Sequence, residues 1–448
     1  MSEAGVTQQL AAWTVGLKHK DIPASVRAEG VRTFVNWLGC AVGGSHHETV
    51  DRALAVATEF SGPRRASVIG RRERLDALHA ALVNGISSHV LDYDDTHLKT
   101  IVHPAGPVAS AILAVAEGRG VRGKDFLTAL VAGVEVECRI ANCVYPDHYD
   151  RGWHITGTAG VFGAAAAVGK LLKLNKRQMT WAYGLAATQS SGLREMFGTM
   201  TKSFHPGRAA QNGALAAFLA KANYDSSEQG IEAPRGFANV LSTKQDYNEI
   251  LGRLGEVWEA GLNTYKPYAC GIVIHPTIDG CQQLKAKLGG RVKQIRSVEL
   301  VAHPLVLELT GKKTPRTGLE GKFSVYHAAA TALIRGDGTP TAFTDEAVRN
   351  KAIIALRDKV SVKADSGVHE DAVRITVTLN DGSQEKLHVD HALGSLEKPL
   401  SDAAITEKFA RQSEPILGEK ATAKLIATAW DLPELDDVSV VARAARKR

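Results

Sequence analysis

From residue 7 to about residue 258 the chain carries an apolar pattern of helical period that is rich in alanine and glycine. One example is Thr158-Ala-Gly-Val-Phe-Gly-Ala-Ala-Ala-Ala-Val-Gly169. Apolar residues recur three and four positions apart in residues 26–42, 75–91, 108–116, 125–143, 161–172 and 209–222. Small side chains let helix axes approach closely. The pattern therefore predicts a compact multi-helix domain rather than a loose bundle.

The pattern changes after about Tyr265. Alternating or β-branched stretches predict strands at residues 295–301, 360–364, 373–379 and 385–389. Asn380-Asp-Gly-Ser383 joins the last two strands and is a strong hairpin-turn signal. Helical patterns alternate with these strands at residues 276–288, 323–334 and 345–357. This part of the chain is therefore expected to form an α+β domain.

The chain reads as helical again from Ser401, which together with Asp402 provides a cap for a helix over residues 403–411. This last section can return to the first domain. The predicted fold class is mainly α with an α+β second domain. The predicted boundaries are 1–265 for the first helical part, 266–400 for the α+β domain and 401–448 for the returning helical part.

Composition restricts the class of protein. The 448 residues suffice for two domains, and 44% hydrophobic and 23% charged residues are ordinary for a soluble globular protein. The net charge of +6 is modest, and no basic stripe with interleaved aromatic residues predicts nucleic-acid binding. Five cysteines without a C-x-x-C pair suggest a reducing compartment. Neither a signal sequence nor a membrane-spanning apolar run is recognisable, so we expect a cytoplasmic protein with no membrane partner.

The segment Asp92-Tyr-Asp-Asp-Thr-His-Leu-Lys-Thr-Ile-Val-His103 concentrates polar groups between two apolar helices. Its aspartates suit a magnesium site, a general base, or helix-end and turn positions. Each aspartate alone is as readily explained by a turn. Taken together with His103 the cluster favours a functional site, whereas His97 is the weaker histidine.

Two later junctions have the same organisation. His154 follows Gly152 and Trp153 at a helix entry, where it is either a surface histidine or a ligand contact. Lys202, His205 and Arg208 place up to three positive charges at the start of a helix predicted to begin near Pro206. A helix N-terminus with such cations favours binding of carboxylate or phosphate, and Lys202 is also a candidate acid. Three such junctions suggest one shared site.

The proposed domain boundary adds further candidates. Lys266, Tyr268, Cys270 and His275 lie at a hinge, where ligand contacts are common, although Cys270 is as readily a small buried residue. Lys322-Phe-Ser-Val-Tyr-His327 starts a helix that can close over the site.

These motifs together resemble the MmgE/PrpD family over essentially the whole chain. The resemblance rests on His89-Val-Leu-Asp-Tyr-Asp-Asp-Thr-His97 with His103-Pro104, Gly152-Trp153-His154, Phe197-Gly-Thr-Met-Thr-Lys202 with His205, Lys266-Pro-Tyr268, Glu320-Gly-Lys-Phe-Ser324 and Gly394-Ser-Leu-Glu-Lys-Pro399. It implies a helical domain from both chain ends with an inserted α+β domain, a homodimer, and catalysis without metal or organic cofactor.

The resemblance also implies a set of site residues. Those of the decarboxylase type fall on Asp92, Thr96, His103, His154 and Lys202. A second-domain tyrosine falls on Tyr326 or on the position held by His327, a departure because many members have tyrosine at the latter. We predict that Asp92, His103, His154, Lys202 and Tyr326 are catalytic. The predicted substrate-binding residues are Thr96, His205, Arg208, Lys266, Tyr268, His275 and His327.

The expected activity is a cofactor-independent lyase, a dehydratase or decarboxylase, acting on a small di- or tricarboxylate. Such reactions pass through negative charge beside a carboxylate carbon, which cations stabilise, while histidines exchange protons near neutral pH. The alternatives are an epimerase or racemase of the same family, a non-catalytic anion-binding protein and, less favoured, a metal hydrolase.

Overall fold

The computed structural model describes residues 5–447, which fold mainly into helices. Those before residue 266 are α1 (Val6–Gly16), α2 (Ala24–Gly44), α3 (Glu48–Phe60), α4 (Ala77–His89), α5 (Ala105–Ala116), α6 (Gly123–Val144), α7 (Asp147–Asp150), α8 (Ile155–Leu171), α9 (Lys176–Ala187), α10 (Thr201–Lys221), α11 (Phe237–Leu241) and α12 (Asn248–Leu251). Two short strand pairs accompany them: β1 (Ala66–Ser67) with β2 (Arg74–Leu75), and β3 (Asp95–His97) with β4 (Asn263–Tyr265). The helices predicted from apolar spacing are all present.

Helix α8 lies at the centre of this part, packed against α5, α6, α9 and α10. Its residues from Ile155 to Gly169 are all buried. A Cβ atom on Gly163 would lie 2.8 Å from the Gly133 carbonyl oxygen of α6. The two helix backbones therefore touch where neither carries a side chain, as the small-residue pattern predicts.

The C-terminal half contains the larger sheet. Its strands are β5 (Ile295–Ala302), β6 (Val360–Ala364), β7 (Val373–Leu379) and β8 (Gln384–Val389), in the order β6-β5-β7-β8. Strands β5 and β6 are parallel, and the other two pairs are antiparallel. The predicted strands are confirmed to within one residue, and the Asn380–Ser383 turn joins β7 to β8.

Six helices accompany this sheet: α13 (His275–Leu288), α14 (Pro304–Thr310), α15 (Gly318–Gly321), α16 (Val325–Arg335), α17 (Asp345–Arg349) and α18 (Lys351–Arg357). The single helix predicted over residues 345–357 is wrong. The Asn350 side chain accepts hydrogen bonds from the N–H groups of Ala352 and Ile353. It thereby starts a new helix and ends α17.

The chain ends in α19 (Asp402–Leu417), α20 (Glu419–Trp430) and α21 (Ser439–Ala444). Ser401 caps α19 through its side chain, as predicted. Helices α19 and α20 both pack against α2. No helix in the described residues combines the length and hydropathy needed to cross a bilayer.

Candidate active site

The close crossing of α4 and α10 brings the polar segment after α4, residues 92–103, close to the segment that contains Lys202. A Cβ atom on Gly85 would lie 2.5 Å from the Gly207 Cα atom, so only glycine fits at this contact. His89 ends α4 one turn beyond Gly85, and Lys202 lies in the first turn of α10. The Lys202 Nζ atom is 2.8 Å from His89 Nε2. The glycine contact therefore positions a histidine against a lysine.

Asp92 is the electrostatic centre of the site. Its Oδ1 atom accepts hydrogen bonds from Lys202 Nζ at 3.0 Å and from Lys266 Nζ at 2.6 Å. Its Oδ2 atom is buried without a hydrogen-bond partner among residues 5–447. Burial opposes ionisation of Asp92, but the two ammonium charges outweigh it and hold its pKa well below the usual value. The group is therefore a carboxylate with one oxygen free to accept a hydrogen bond from a ligand.

Four buried lysines converge on Leu91-Asp92-Tyr93. Besides the contacts of Lys202 and Lys266 with Asp92, Lys322 Nζ donates to the Leu91 carbonyl oxygen at 2.7 Å and Lys408 Nζ donates to that of Tyr93. Asp92 has φ = 51°, a left-handed conformation that few residues other than glycine adopt but that aspartate tolerates. The lysines hold both sides of this strained residue.

His103 presents one bare ring nitrogen to the cavity. Its Nδ1 atom lies 2.7 Å from the Asp95 carbonyl oxygen, which can only accept, so Nδ1 carries the proton. Its Nε2 atom has no hydrogen-bond partner in the described chain. The preceding loop includes Ile101 at φ = 58°, which is a strained conformation for a β-branched residue. This loop fixes a histidine whose free nitrogen can accept a proton and, once protonated, can donate a hydrogen bond to a carboxylate.

His154 and His205 form a second imidazole pair. His154 is the N-cap residue of α8, and its Nδ1 atom lies 2.8 Å from His205 Nδ1. Because one nitrogen must donate and the other accept, the contact fixes complementary tautomers. Phe197 packs edge-on against His154, with ring centroids 5.0 Å apart. His154 faces the cavity, and His205 supports it from behind.

The surroundings of these histidines favour the neutral form of each ring at pH 7. Burial lowers the pKa of His103 and of His154 well below the usual value, and nearby lysines and histidines lower it further. Burial also lowers the pKa of His205 to about 4. A bound anion would reverse the charge balance around them, so these rings can gain protons when a polycarboxylate binds.

The cavity is lined by two chemically different sets of residues. The polar set consists of Asp92, His103, His154, Lys202 and Lys266. The rest of the lining is mainly apolar and includes Ile101, Phe197, Ile272, Val273, Leu309 and Phe323. The cavity therefore offers cations and imidazoles to one part of a ligand and hydrocarbon to another.

Seven of the predicted site residues lie in or directly behind this cavity. Asp92, His103, His154, Lys202 and Lys266 line it. His205 supports His154, and the Thr96 hydroxyl lies 3.2 Å from His103 Nδ1.

Arg208 is not brought to the site. The prediction that its helix begins near Pro206 is wrong, since α10 begins at Thr201. Arg208 is six residues after Lys202, a rotation of roughly 600° at about 100° per residue, so it points away from the face that bears Lys202. It is exposed and donates to Gln211.

Four second-half candidates also lie away from the cavity lining. The Tyr268 hydroxyl donates to Asp279, and His275 Nε2 lies 3.4 Å from the Cys270 carbonyl oxygen. Tyr326 packs against the apolar cluster of this half, and His327 Nε2 lies 2.8 Å from the Ala342 carbonyl oxygen. The first turn of α16 directs the side chains of Tyr326 and His327 away from the cavity. Phe323, which precedes that helix, lines it instead.

His89 was missed as a site residue. Its helix has the apolar spacing of an ordinary core helix. A buried residue in the last turn of such a helix does not by itself indicate a functional site. The available signal was its spacing of three residues from Asp92, which places both groups at the same helix end. Lys322 and Lys408 were missed as supports of the loop because their partners lie 231 and 315 residues away.

His89, His103 and His154 are close enough to share a metal ion, with ligand atoms within 4.8 Å of one another. The surrounding charge opposes this use. Lys202 donates to His89 Nε2, and Asp92 Oδ1 is already bound by two ammonium groups. A cation would have to displace the Lys202 ammonium group from His89 and would then lie beside that positive charge. An anion is the better match.

Comparison with known proteins identifies the relationship. The MmgE/PrpD N-terminal domain model matches residues 8–250, and the C-terminal domain model matches residues 268–432. The chain belongs to the MmgE/PrpD family. Its relatives within this family are named lyases, and the chain is an MmgE/PrpD-type lyase.

Three relatives illustrate the range within the MmgE/PrpD family. A cis-aconitate decarboxylase-like protein of Aspergillus oryzae is 28% identical over 98% of this chain and 96% of its own length. Human cis-aconitate decarboxylase is 26% identical over 97% of this chain and 93% of its own. Escherichia coli 2-methylcitrate dehydratase is 22% identical over 81% of this chain and 80% of its own.

Proposed function

We propose that this protein decarboxylates cis-aconitate or a closely similar unsaturated tricarboxylate without a metal or organic cofactor. The observation that carries the proposal is the mixed lining of the cavity. Lys202, Lys266 and the histidines can neutralise several carboxylates, and apolar side chains line the rest of the cavity. A carboxylate held against an apolar wall is poorly solvated, which favours its loss as neutral CO₂.

The proposed reaction needs one proton donor. The substrate carries one carboxylate on the carbon next to its C=C bond. The C–C bond to this carboxylate breaks, and CO₂ leaves. The released electron pair forms a new double bond, and the original double-bond electrons move to the far carbon, beside another carboxylate. A proton from the Lys202 ammonium is captured there, while Lys266 and the histidines stabilise the developing charge. The neutral Lys202 amine regains a proton from solvent before the next turnover.

The deciding assay is proton NMR in D₂O with cis-aconitate, 2-methylcitrate, citrate, malate-type acids and iminodisuccinate. Loss of CO₂ from cis-aconitate, with one deuteron entering the product, is the expected result. Water elimination from 2-methylcitrate would instead establish the dehydratase, which is the second candidate because relatives carry that name. Deuterium exchange without elimination would favour an epimerase, and binding without exchange would favour a non-catalytic anion-binding protein.

Binding of tricarballylate, a saturated tricarboxylate, is expected to take up protons. Its carboxylates should raise the pKa of His103 and His154 from the lowered values of the free protein. Affinity should therefore weaken as pH rises through the bound-state pKa, about tenfold per pH unit for each proton taken up. Calorimetry in two buffers of different ionisation enthalpy measures this uptake. His103→Gln should reduce it, and equal heats in both buffers would contradict the prediction.

Treatment with EDTA is expected to leave turnover unchanged, within about twofold. The lysine contacts of His89 and Asp92 oppose a cation at the residues that could otherwise hold one. Activity before and after chelation, with added Mg²⁺, Mn²⁺ or Zn²⁺, tests this. If EDTA abolished activity and a single added metal restored it, the result would contradict the cofactor-free proposal and favour a metal hydrolase.

We also propose that residues 1–265 and 401–448 form one helical domain and that residues 266–400 form an inserted α+β domain. Packing of α19 on α2 supports the first unit. A separate apolar cluster drawn mostly from residues 268–389 supports the second. Hydrogen exchange read by mass spectrometry should show α19 and α2 opening together. Opening of α19 together with the strands of the larger sheet would contradict this arrangement.

A cytoplasmic homodimer completes the proposal. The five cysteines are all free and buried, which suits a reducing compartment. Light scattering should give twice the 47.9 kDa mass of one chain, and a monomer would contradict the dimer.

A further inference from the structure

His89 links an aspartate to the proposed proton donor. The His89 ring is fully buried between Asp94 and Lys202. Its Nδ1 atom lies 2.7 Å from Asp94 Oδ2, and its Nε2 atom lies 2.8 Å from Lys202 Nζ. The three side chains therefore form a continuous hydrogen-bonded row that ends at the cavity.

The charge of Asp94 determines which nitrogen of His89 carries the proton. Burial opposes ionisation of Asp94, but the hydrogen bond from His89 and the nearby positive charge of Lys266 help to lower its pKa. An ionised carboxylate only accepts hydrogen bonds, so His89 must donate from Nδ1. Burial also lowers the pKa of His89, and the neutral ring then offers the Nε2 lone pair to Lys202.

This tautomer directs the Lys202 ammonium group. One of its three N–H bonds is used by His89 Nε2, and a second by Asp92 Oδ1 at 3.0 Å. The third has no protein acceptor in the described part of the chain, and Lys202 lines the cavity. Its charge also lies 5.4 Å from the ring centroids of Phe197 and Phe323.

We propose that the Asp94–His89 pair is a positioning device that keeps Lys202 protonated and directs its third N–H bond into the cavity. Neither residue is among those that line the cavity, so both act through Lys202. The inference rests on the proposed function, in which Lys202 supplies the proton. The other titratable groups facing Lys202 are Asp92, His103, His154, His205, Lys266 and Lys322.

Asp94→Asn is the first test. The asparagine NH₂ group can donate to Nδ1, which would move the His89 proton to Nε2 and turn an N–H bond toward the ammonium. Lys202 should then lose its proton at lower pH. We expect kcat at pH 7 to fall about 10²-fold, the alkaline limb of the kcat profile to move down by at least one pH unit, and KM to change less than threefold.

His89→Gln is the matched variant. The glutamine Oε1 atom can take the place of Nε2 as acceptor without depending on Asp94, so kcat should stay within about tenfold of the parent value. Asp94→Asn added to His89→Gln should cost less than threefold further. An unshifted alkaline limb in folded Asp94→Asn would overturn the proposal, as would a full additional loss in the double variant.

Histidine-selective ¹⁵N NMR separates this inference from the proposed function. His89 can be assigned by its disappearance in His89→Gln. The parent protein should show the Nδ1–H tautomer and Asp94→Asn the Nε2–H tautomer, whether or not cis-aconitate is turned over. If the His89 tautomer switches in Asp94→Asn but cis-aconitate is not turned over, only the proposed reaction is contradicted. If the tautomer does not change, the positioning role is contradicted even when the protein is an active decarboxylase.

Discussion

Replacing Lys202 with methionine is expected to lower kcat on cis-aconitate about 10³-fold. The substitution removes the proposed proton donor and one positive charge beside the developing carbanion, and such groups typically contribute two to four orders of magnitude. Methionine retains an unbranched side chain to pack between Phe197 and Phe323. Asp92 keeps its 2.6 Å contact with Lys266, so no buried charge is left unpaired. Initial rates of CO₂ release measure the effect.

Lys221→Met is the matched control, since Lys221 is an exposed residue at the other end of α10. It should retain parental activity. A Lys202→Met protein with an unchanged circular dichroism spectrum and kcat within tenfold of the parent would remove Lys202 from the chemistry. The donor would then have to be sought among the histidines.

Asp92→Asn is expected to destabilise the fold by about 3 kcal/mol or more at pH 7, in addition to abolishing turnover. It would leave two buried ammonium groups sharing an uncharged amide, and breaking a buried ion pair from one side typically costs about 3–5 kcal/mol. Urea denaturation of the variant and the parent measures the difference.

The pH dependence of this loss has a definite sign. In the parent, the depressed pKa of Asp92 gives stability that is present above the unfolded value, about 3.9, and is lost as pH falls through the folded value. In the variant, unpaired buried lysines should have a pKa below their unfolded value of about 10.4. Stability should therefore rise from pH 7 to pH 9, because the unfolded chain binds more protons.

Asp225→Asn, at an exposed position in the turn after α10, is the control and should change stability by less than about 0.5 kcal/mol. If Asp92→Asn were as stable as this control at both pH values, Asp92 would not be the counter-ion of the two lysines.

Local sequence patterns predicted the helices and strands well where the structure of a segment agrees with the intrinsic preference of its residues. Alternation in β6 and β7 gave their bounds without error. The start of α10 was missed because Pro206 suits a first turn, whereas here it lies inside the helix. The packing of Gly207 against Gly85 shows that tertiary contact overrides the local preference, and such a contact between distant residues has no local signature.

The site could be predicted only as far as its polar groups cluster along the chain. His103, His154 and Lys202 each precede or open a helix, so their junctions were visible in the sequence. Arg208 was included because the helix was predicted to begin near Pro206, which would have placed Arg208 in its first turn, whereas α10 begins at Thr201. Choosing Phe323 over Tyr326 or His327 required knowing where α16 begins and which way its first turn points.

The Lys408 contact with the Tyr93 carbonyl oxygen has a consequence for biosynthesis. Residue 408 leaves the ribosome long after Asp92, His103, His154 and Lys202. Until then the strained loop lacks one of its four ammonium supports, and water must donate to the Tyr93 carbonyl oxygen in place of Lys408. A nascent chain can thus build most of its helices yet remain inactive. Catalytic competence would appear only after residue 408 has been synthesised and has reached the Tyr93 carbonyl.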